Sequence, residues 1–167
     1  MSFGNLLAGN LELLAAAIMN DSIDKLLALK TWAVVGLSNN SERAAFRVAK
    51  LLIEKGHQVI PVHPKAETVH GQKGYAKLSD IPFPIDVVDI FVNSDLAGEV
   101  VDSAIAINAK GVWLQLDVID QSAVDRAKNA GLIAVMNRCP AIEYGKRSWL
   151  FNNFPTVILL CMNYLCK

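Results

Sequence analysis

The stretch Trp32-Ala33-Val34-Val35-Gly36-Leu37-Ser38-Asn39-Asn40-Ser41 decides how the rest of the chain is read. A β-branched apolar run ends in a glycine and a short polar turn, and from Glu42 to Lys55 the apolar spacing becomes helical, with Ala45, Val48, Ala49 and Leu52 on one face. The order is strand, tight turn, helix. The first N–H groups of such a helix lack intrahelical partners and its aligned peptide dipoles leave partial positive charge there, so the turn suits a phosphate. The dinucleotide pattern G-x-G-x-x-G would need glycines at 36, 38 and 41, where this chain has Gly36, Ser38 and Ser41. Gly36 supplies the turn, and the two serines hold a ligand slightly further off and offer hydroxyls in exchange. Taken alone, the turn fits an ordinary βα connection equally well.

Upstream, residues 1–19 are rich in Leu and Ala and read as an apolar helical extension, with Leu7, Leu11, Leu14 and Ile18 on one stripe. Asn20-Asp21-Ser22 are cap-forming residues that signal a new helix, and Ile23, Leu26 and Leu27 give it a face to pack beside the first strand.

Downstream, Gly56 stops the helix and Gln58-Val59-Ile60-Pro61-Val62 reads as a second strand running out at His63-Pro64-Lys65. NAD-binding folds usually carry an acid at that point to hold the ribose diol. Here the first acid is Glu67, and His63, Pro64 and Lys65 suit a ribose bearing a phosphate better than a bare diol. An exposed turn lysine with no ligand fits the same residues. Residues 66–84, with Gly71, Gly74, Pro82 and Pro84, form an irregular connection of the kind that covers a ligand, with a short strand or turn at Tyr75 and a helical turn at Leu78-Ser79-Asp80.

The third strand is Ile85 to Val92, followed by a helix from Ser94 to Asn108 with Leu96, Val100, Val101, Ala104 and Ile105 inward. Asp89 lies inside this strand, where a carboxylate binding loop N–H groups is a commoner arrangement than a catalytic acid. Gly111 to Leu116 is a fourth strand, Gln121 to Asn129 a helix stopped by Gly131, and Leu132 to Met136 a fifth strand emerging at Asn137-Arg138-Cys139-Pro140. Strands alternating with helices and joined by right-handed crossovers give an α/β fold, a doubly wound parallel sheet of about five strands with helices on both faces. Ligands of such sheets bind beyond the carboxyl ends of the strands. Those ends collect Gly36, Leu37, Ser38, Pro61 to Lys65, Phe91 to Ser94, Gln115 and Asn137 to Cys139; Arg43, in the first helical turn, fits a phosphate contact and a solvated side chain equally well. The set has phosphate-binding turns, cations, amides and a thiol, and no base paired with a nucleophile, which suits binding better than reaction.

Sixteen basic and sixteen acidic residues leave no net charge, and the basic clusters are too short to follow a nucleic-acid backbone. Cys139, Cys161 and Cys166 form no C-x-x-C pair and have no histidine at zinc-like spacing, so no metal is expected and a reduced, cytoplasmic protein is. Neither the apolar start, interrupted by Glu12, nor the apolar end, interrupted by Asn163, is a clean membrane span.

The runs Val34-Val35-Gly36-Leu37-Ser38, Val59-Ile60-Pro61-Val62-His63-Pro64, Asp86-Val87-Val88-Asp89, Val112-Trp113-Leu114-Gln115-Leu116, Arg138-Cys139-Pro140 and Ile142-Glu143-Tyr144-Gly145 occur in the order found in the small stand-alone CoA-binding proteins. The chain resembles that family, which is itself similar to the CoA-binding domain of succinyl-CoA synthetase, over about residues 22–147. The resemblance implies a Rossmann-like domain that binds coenzyme A or an acyl-CoA. It places Gly36 to Ser38 at the pyrophosphate, Pro64 and Lys65 at the adenosine end with its 3′-phosphate, Val92 to Ser94 along the next face of the nucleotide, and Gln115 and Cys139 nearer the pantetheine arm. The chain departs from the family's usual residues at His63, Asn137 and Ala141. Three functions follow: a non-catalytic CoA or acyl-CoA module acting as sensor or carrier, an NADP-linked oxidoreductase, or an interaction protein that has lost its ligand site. The expected organisation is residues 1–19 as extension, 20–147 as the binding domain and 148–167 as an apolar tail, where Trp149, Leu150, Phe151 and Phe154 would meet a homodimer mate or partner protein.

Overall fold

A computed structural model describes residues 17–153, with side chains as far as residue 147. The stripe Leu7, Leu11 and Leu14, the tail side chains from Trp149 onward, and Cys161 and Cys166 lie outside that range. Helix α1 occupies residues 17–27. Then come β1 (Thr31–Val35), α2 (Ala44–Glu54), β2 (Gln58–Val62), a 3-10 turn (Leu78–Asp80), β3 (Val87–Ile90), α3 (Ser94–Ala106), β4 (Gly111–Leu114), α4 (Gln121–Asn129), β5 (Ile133–Val135) and α5 (Pro140–Asn153).

All five strands are parallel, in the order β2-β1-β3-β4-β5. The chain leaves β1 toward β2 on one side and returns to β3 on the other. A crevice therefore opens between the carboxyl ends of β1 and β3, the switch point at which doubly wound sheets take ligands. Each strand is buried on both faces, which is why each reads as a continuous apolar run rather than an alternating one. One face carries α1, α2 and α5 over Trp32, Val34, Val87, Trp113 and Val135, and the other carries α3 and α4 over Ala33, Ile60, Val88, Ile90, Val112 and Leu114. The chain is thus a Rossmann-like α/β domain. At the amino edge Asp86 staples the strands, accepting from the Thr31 N–H at 3.0 Å and from Lys110 Nζ at 2.7 Å.

Strands β3, β4 and β5 end one or two residues inside the limits read from sequence, and four helices differ further. Helix α1 runs without a break through Asn20-Asp21-Ser22, so those residues do not cap a new helix; Asp21 instead pairs with Lys25 one turn on, at 2.6 Å, as an interior helical pair. Helix α2 starts at Ala44 rather than Glu42 because the Asn40 side chain accepts the Glu42 N–H at 3.0 Å and closes a local turn that competes with the helix. In α3, Leu96 is 51% exposed instead of inward, and Ala97 takes the core position beside it. Beyond β5 the chain forms α5, with Pro140 at its first position where a missing N–H costs nothing.

Candidate functional site

At the crevice Gly36 has φ +93°, a conformation that side chains rarely adopt, and a Cβ there would stand 2.8 Å from the carbonyl oxygen of Phe91. Glycine thus lets the β1–α2 loop press against the end of β3. The Gly36 N–H donates to Val62 O at 2.8 Å, so the turn is fixed from β2 as well. The two helices that start beside the crevice, α2 after Arg43 and α3 after Asn93, have no side-chain cap, whereas α4 is capped by Asp120, which accepts the Ala123 N–H at 2.9 Å. Both starts leave N–H groups for an incoming anion.

An open cleft of about 530 Å³ lies at this point. It is lined by Val35, Gly36 and Arg43 from β1 and the loop after it, Val62, His63 and Pro64 at the end of β2, Ala76, Lys77 and Leu78 of the following connection, Phe91, Val92 and Asn93 after β3, and Leu96, Glu99, Val100 and Ser103 of α3. Of the site residues expected from sequence, Gly36, Arg43, His63, Pro64, Val92 and Asn93 line the cleft. Leu37 is fully buried in the core under α2. Pro61 is buried in β2, its carbonyl accepting the Tyr75 N–H at 2.9 Å. Ser38 and the exposed Lys65 lie off the lining, and the Lys65 N–H is turned to His63 Nδ1 at 3.3 Å. Ser94 is used internally, its Oγ accepting the Ile119 N–H at 3.0 Å. Gln115, Arg138 and Cys139 lie at the ends of β4 and β5, outside the lining, with the Cys139 thiol free and half-buried against the α2–α5 core.

The connection after β2 is held by three features. Tyr75 bridges Val62, Gly74 sits where any Cβ would run into Glu67 O at 2.1 Å, and Glu67 Oε2 accepts the Asn39 N–H at 3.2 Å. This delivers Lys77 to the cleft and turns the first acid after β2 toward the β1–α2 loop. Sequence reading missed Lys77 and the α3 lining. The signal was present: Leu96, Glu99, Val100 and Ser103 are spaced i, i+3, i+4, i+7, a second stripe beside the core-facing one.

Asp89 does not bind loop N–H groups as expected. It is fully buried, with Oδ1 accepting from Gln115 Nε2 at 2.5 Å and Oδ2 without a partner among the described residues. Burial pushes its pKa up to about 8, against the lowering effect of the Gln115 and Ile90 contacts, so it is a neutral acid at pH 7. Gln115 is thereby explained as the partner of Asp89. No group of three or more His, Cys, Asp or Glu among the described residues is arranged to hold a metal, and no described helix is long and apolar enough to cross a membrane.

Residues 30–145 match the model of the CoA binding domain family. An uncharacterized protein of Bacillus subtilis, YneT, is 31% identical over 115 residues, 69% of this chain and 85% of that one. A hypothetical protein from Pyrococcus horikoshii OT3 superposes with a TM-score of 0.72 at 43% identity, covering 77% of this chain and 90% of that one. A dinucleotide forming acetyl-coenzyme A synthetase of Ca. Korarchaeum cryptofilum matches with a TM-score of 0.57 at 27% identity, covering 64% of this chain and 26% of the synthetase. With more than half of its length matched to that model and a Rossmann-like sheet in place, the chain belongs to the CoA-binding domain family.

Proposed function

We propose that the chain binds coenzyme A, free or as an acyl-CoA, in the cleft between β1 and β3, and works as a non-catalytic carrier or sensor module. The observation that carries this reading is the cleft's lining: a glycine turn, the uncapped starts of α2 and α3, the cation Arg43, and His63 and Pro64 rather than an acid at the end of β2. The engagement of Glu67 with Asn39 supports a phosphate-bearing ribose over a bare diol, because it leaves no carboxylate at the end of β2. The lining combines the apolar side chains of Val62, Pro64, Leu96 and Val100 with the polar His63, Glu99 and Ser103, a mixture that suits holding a nucleotide.

The test is the thermal unfolding midpoint with CoA, dephospho-CoA, NADP or NAD added separately. A ligand at about a hundred times its dissociation constant adds roughly 2.7 kcal/mol, a rise of several degrees for a chain of this size. A rise with CoA and not with NAD is expected, smaller for dephospho-CoA. A rise with NADP alone would move the reading to an oxidoreductase, and no rise with any of the four would leave an interaction protein built on the same scaffold.

A further inference from the structure

Asp89 is a fully buried acid in the central strand of the sheet, and the cleft does not use it. Its one side-chain partner is Gln115, and its Oδ2 has none among the described residues. Val34 of β1 and Trp113 of β4 flank it in register, so it points to the face of the sheet covered by α1, α2 and α5. From α5 and its approach that face carries Tyr144, the Cys139 thiol, and Glu143, which is paired with Lys146 and Arg147. His57 enters ahead of β2 and is bonded to Tyr144, and the charged side chains of α1 and α2 are exposed. Gln115 and the Ile90 backbone are the contacts that favour the ionised form of Asp89, and burial outweighs them.

The register also sets how far this acid stands from the crevice. Asp89 pairs with Val34, and Gly36 lies two residues beyond Val34. With about 3.3 Å per residue and about 4.8 Å between strands, Asp89 is roughly 8 Å from the glycine turn. At roughly 10 Å and an effective dielectric constant of about 20, one charge changes the equilibrium of another about tenfold or more. We infer that Asp89 couples anion binding in the cleft to a proton: the phosphates bind while the buried carboxyl is neutral, and its ionisation weakens them. The proton is taken from solvent on binding and returned on release. An acid left with one oxygen unpaired is thereby accounted for, because the neutral form costs far less to bury than the carboxylate. The inference rests on an anionic ligand occupying this cleft, as the proposed function holds.

The sign follows from the raised value. The free protein keeps the proton up to about pH 8, a bound anion holds it to higher pH, and affinity therefore falls as pH rises between the two. Calorimetric titration of the full chain with adenosine 3′,5′-bisphosphate, which has no thiol and whose phosphates are fully ionised above pH 7, tests this. Affinity is expected to be about fivefold weaker at pH 9 than at pH 7. At pH 8.5, runs in two buffers of different ionisation enthalpy are expected to show uptake of about half a proton. Asp89→Asn, which stays neutral, is expected to bind within about twofold at both pH values and to take up none, and Cys139→Ser to behave as the wild type. Wild-type binding without uptake, uptake that persists in Asp89→Asn, or uptake that disappears in Cys139→Ser overturns the coupling while ligand binding stands. If Asp89→Asn does not fold, the wild-type and Cys139→Ser titrations decide between the same outcomes. A wild type that binds neither the bisphosphate nor CoA at pH 7 overturns the coupling together with the reading of the cleft.

Discussion

Gly36 joins fold and site in one residue. Gly131 has a similar positive φ, +85°, with nothing within 4 Å of a Cβ, so comparing the two separates backbone strain from close approach. Gly131→Ala carries the conformational cost alone, about 1 kcal/mol, whereas Gly36→Ala adds a push on the Phe91 carbonyl and is expected to cost about 2 kcal/mol or more. Urea unfolding midpoints at constant m-value check the order, and only the Gly36 variant is expected to weaken CoA binding. Asp89 gives a second residue-scale prediction. Its proton is retained in the native state up to about pH 8 but leaves the unfolded chain near the ordinary value of 3.8. Between those values the native state holds more protons, so stability falls as pH rises, by up to about 1.4 kcal/mol per unit. Asp89→Asn keeps an acceptor for Gln115 and removes the titration. Urea unfolding at intervals from pH 5 to 8 is expected to show the variant gaining on the wild type steadily; parallel profiles would mean that Asp89 is ionised at neutral pH.

At the scale of elements, a part-buried polar contact ties the inner face of α5 to the turn before β2. His57 Nδ1 faces the Leu29 carbonyl at 2.9 Å and must donate to it, so neutral His57 accepts at Nε2 from the Tyr144 hydroxyl at 2.5 Å. Burial lowers the His57 pKa, against the raising effect of the Leu29 bond, which keeps that arrangement in place at neutral pH. Tyr144→Phe removes the donor and leaves Nε2 without one, an expected loss of about 1 kcal/mol, or roughly 2–4 °C, readable in a melting curve at pH 7.5. The sign with pH follows from the lowered value: the stability that neutral His57 confers is present above pH 6.5 and lost as pH falls through its depressed folded pKa. Strands and the inner face of α2 were legible in the sequence because burial on a sheet writes itself as periodic apolar residues, and Ala45, Val48, Ala49 and Leu52 are the buried residues of α2. Helix α5 was not, since Glu143, Gly145, Lys146 and Arg147 interrupt its apolar pattern. Glu143 is nearly buried there because Lys146 and Arg147 pair with it, and Arg147 also reaches Asp24 of α1, contacts between elements that no local spacing records.

For the whole molecule, the sheet divides the expected site residues between two places. The strand-end rule gathered Gly36, His63, Pro64, Val92 and Asn93, which line one cleft, because parallel strands in register must end along one edge. It also gathered Gln115, Arg138 and Cys139, which share that edge yet stand at β4 and β5, beyond the cleft; a one-dimensional list of strand ends cannot tell which side of the switch point a residue occupies. If CoA lies with its nucleotide in the cleft, its pantetheine arm is long enough to run along the edge toward that second group, and amide hydrogen exchange separates the two. Adenosine 3′,5′-bisphosphate, which lacks the arm, is expected to slow exchange only around residues 36–43, 62–66, 76–78 and 91–96. CoA should slow those and also residues 115–119 and 137–141. Protection of the second group by the truncated compound would place the nucleotide itself over β4 and β5 and remove the cleft from the binding site. Protection of the first group alone by both compounds would send the arm into solvent, away from Gln115 and Cys139.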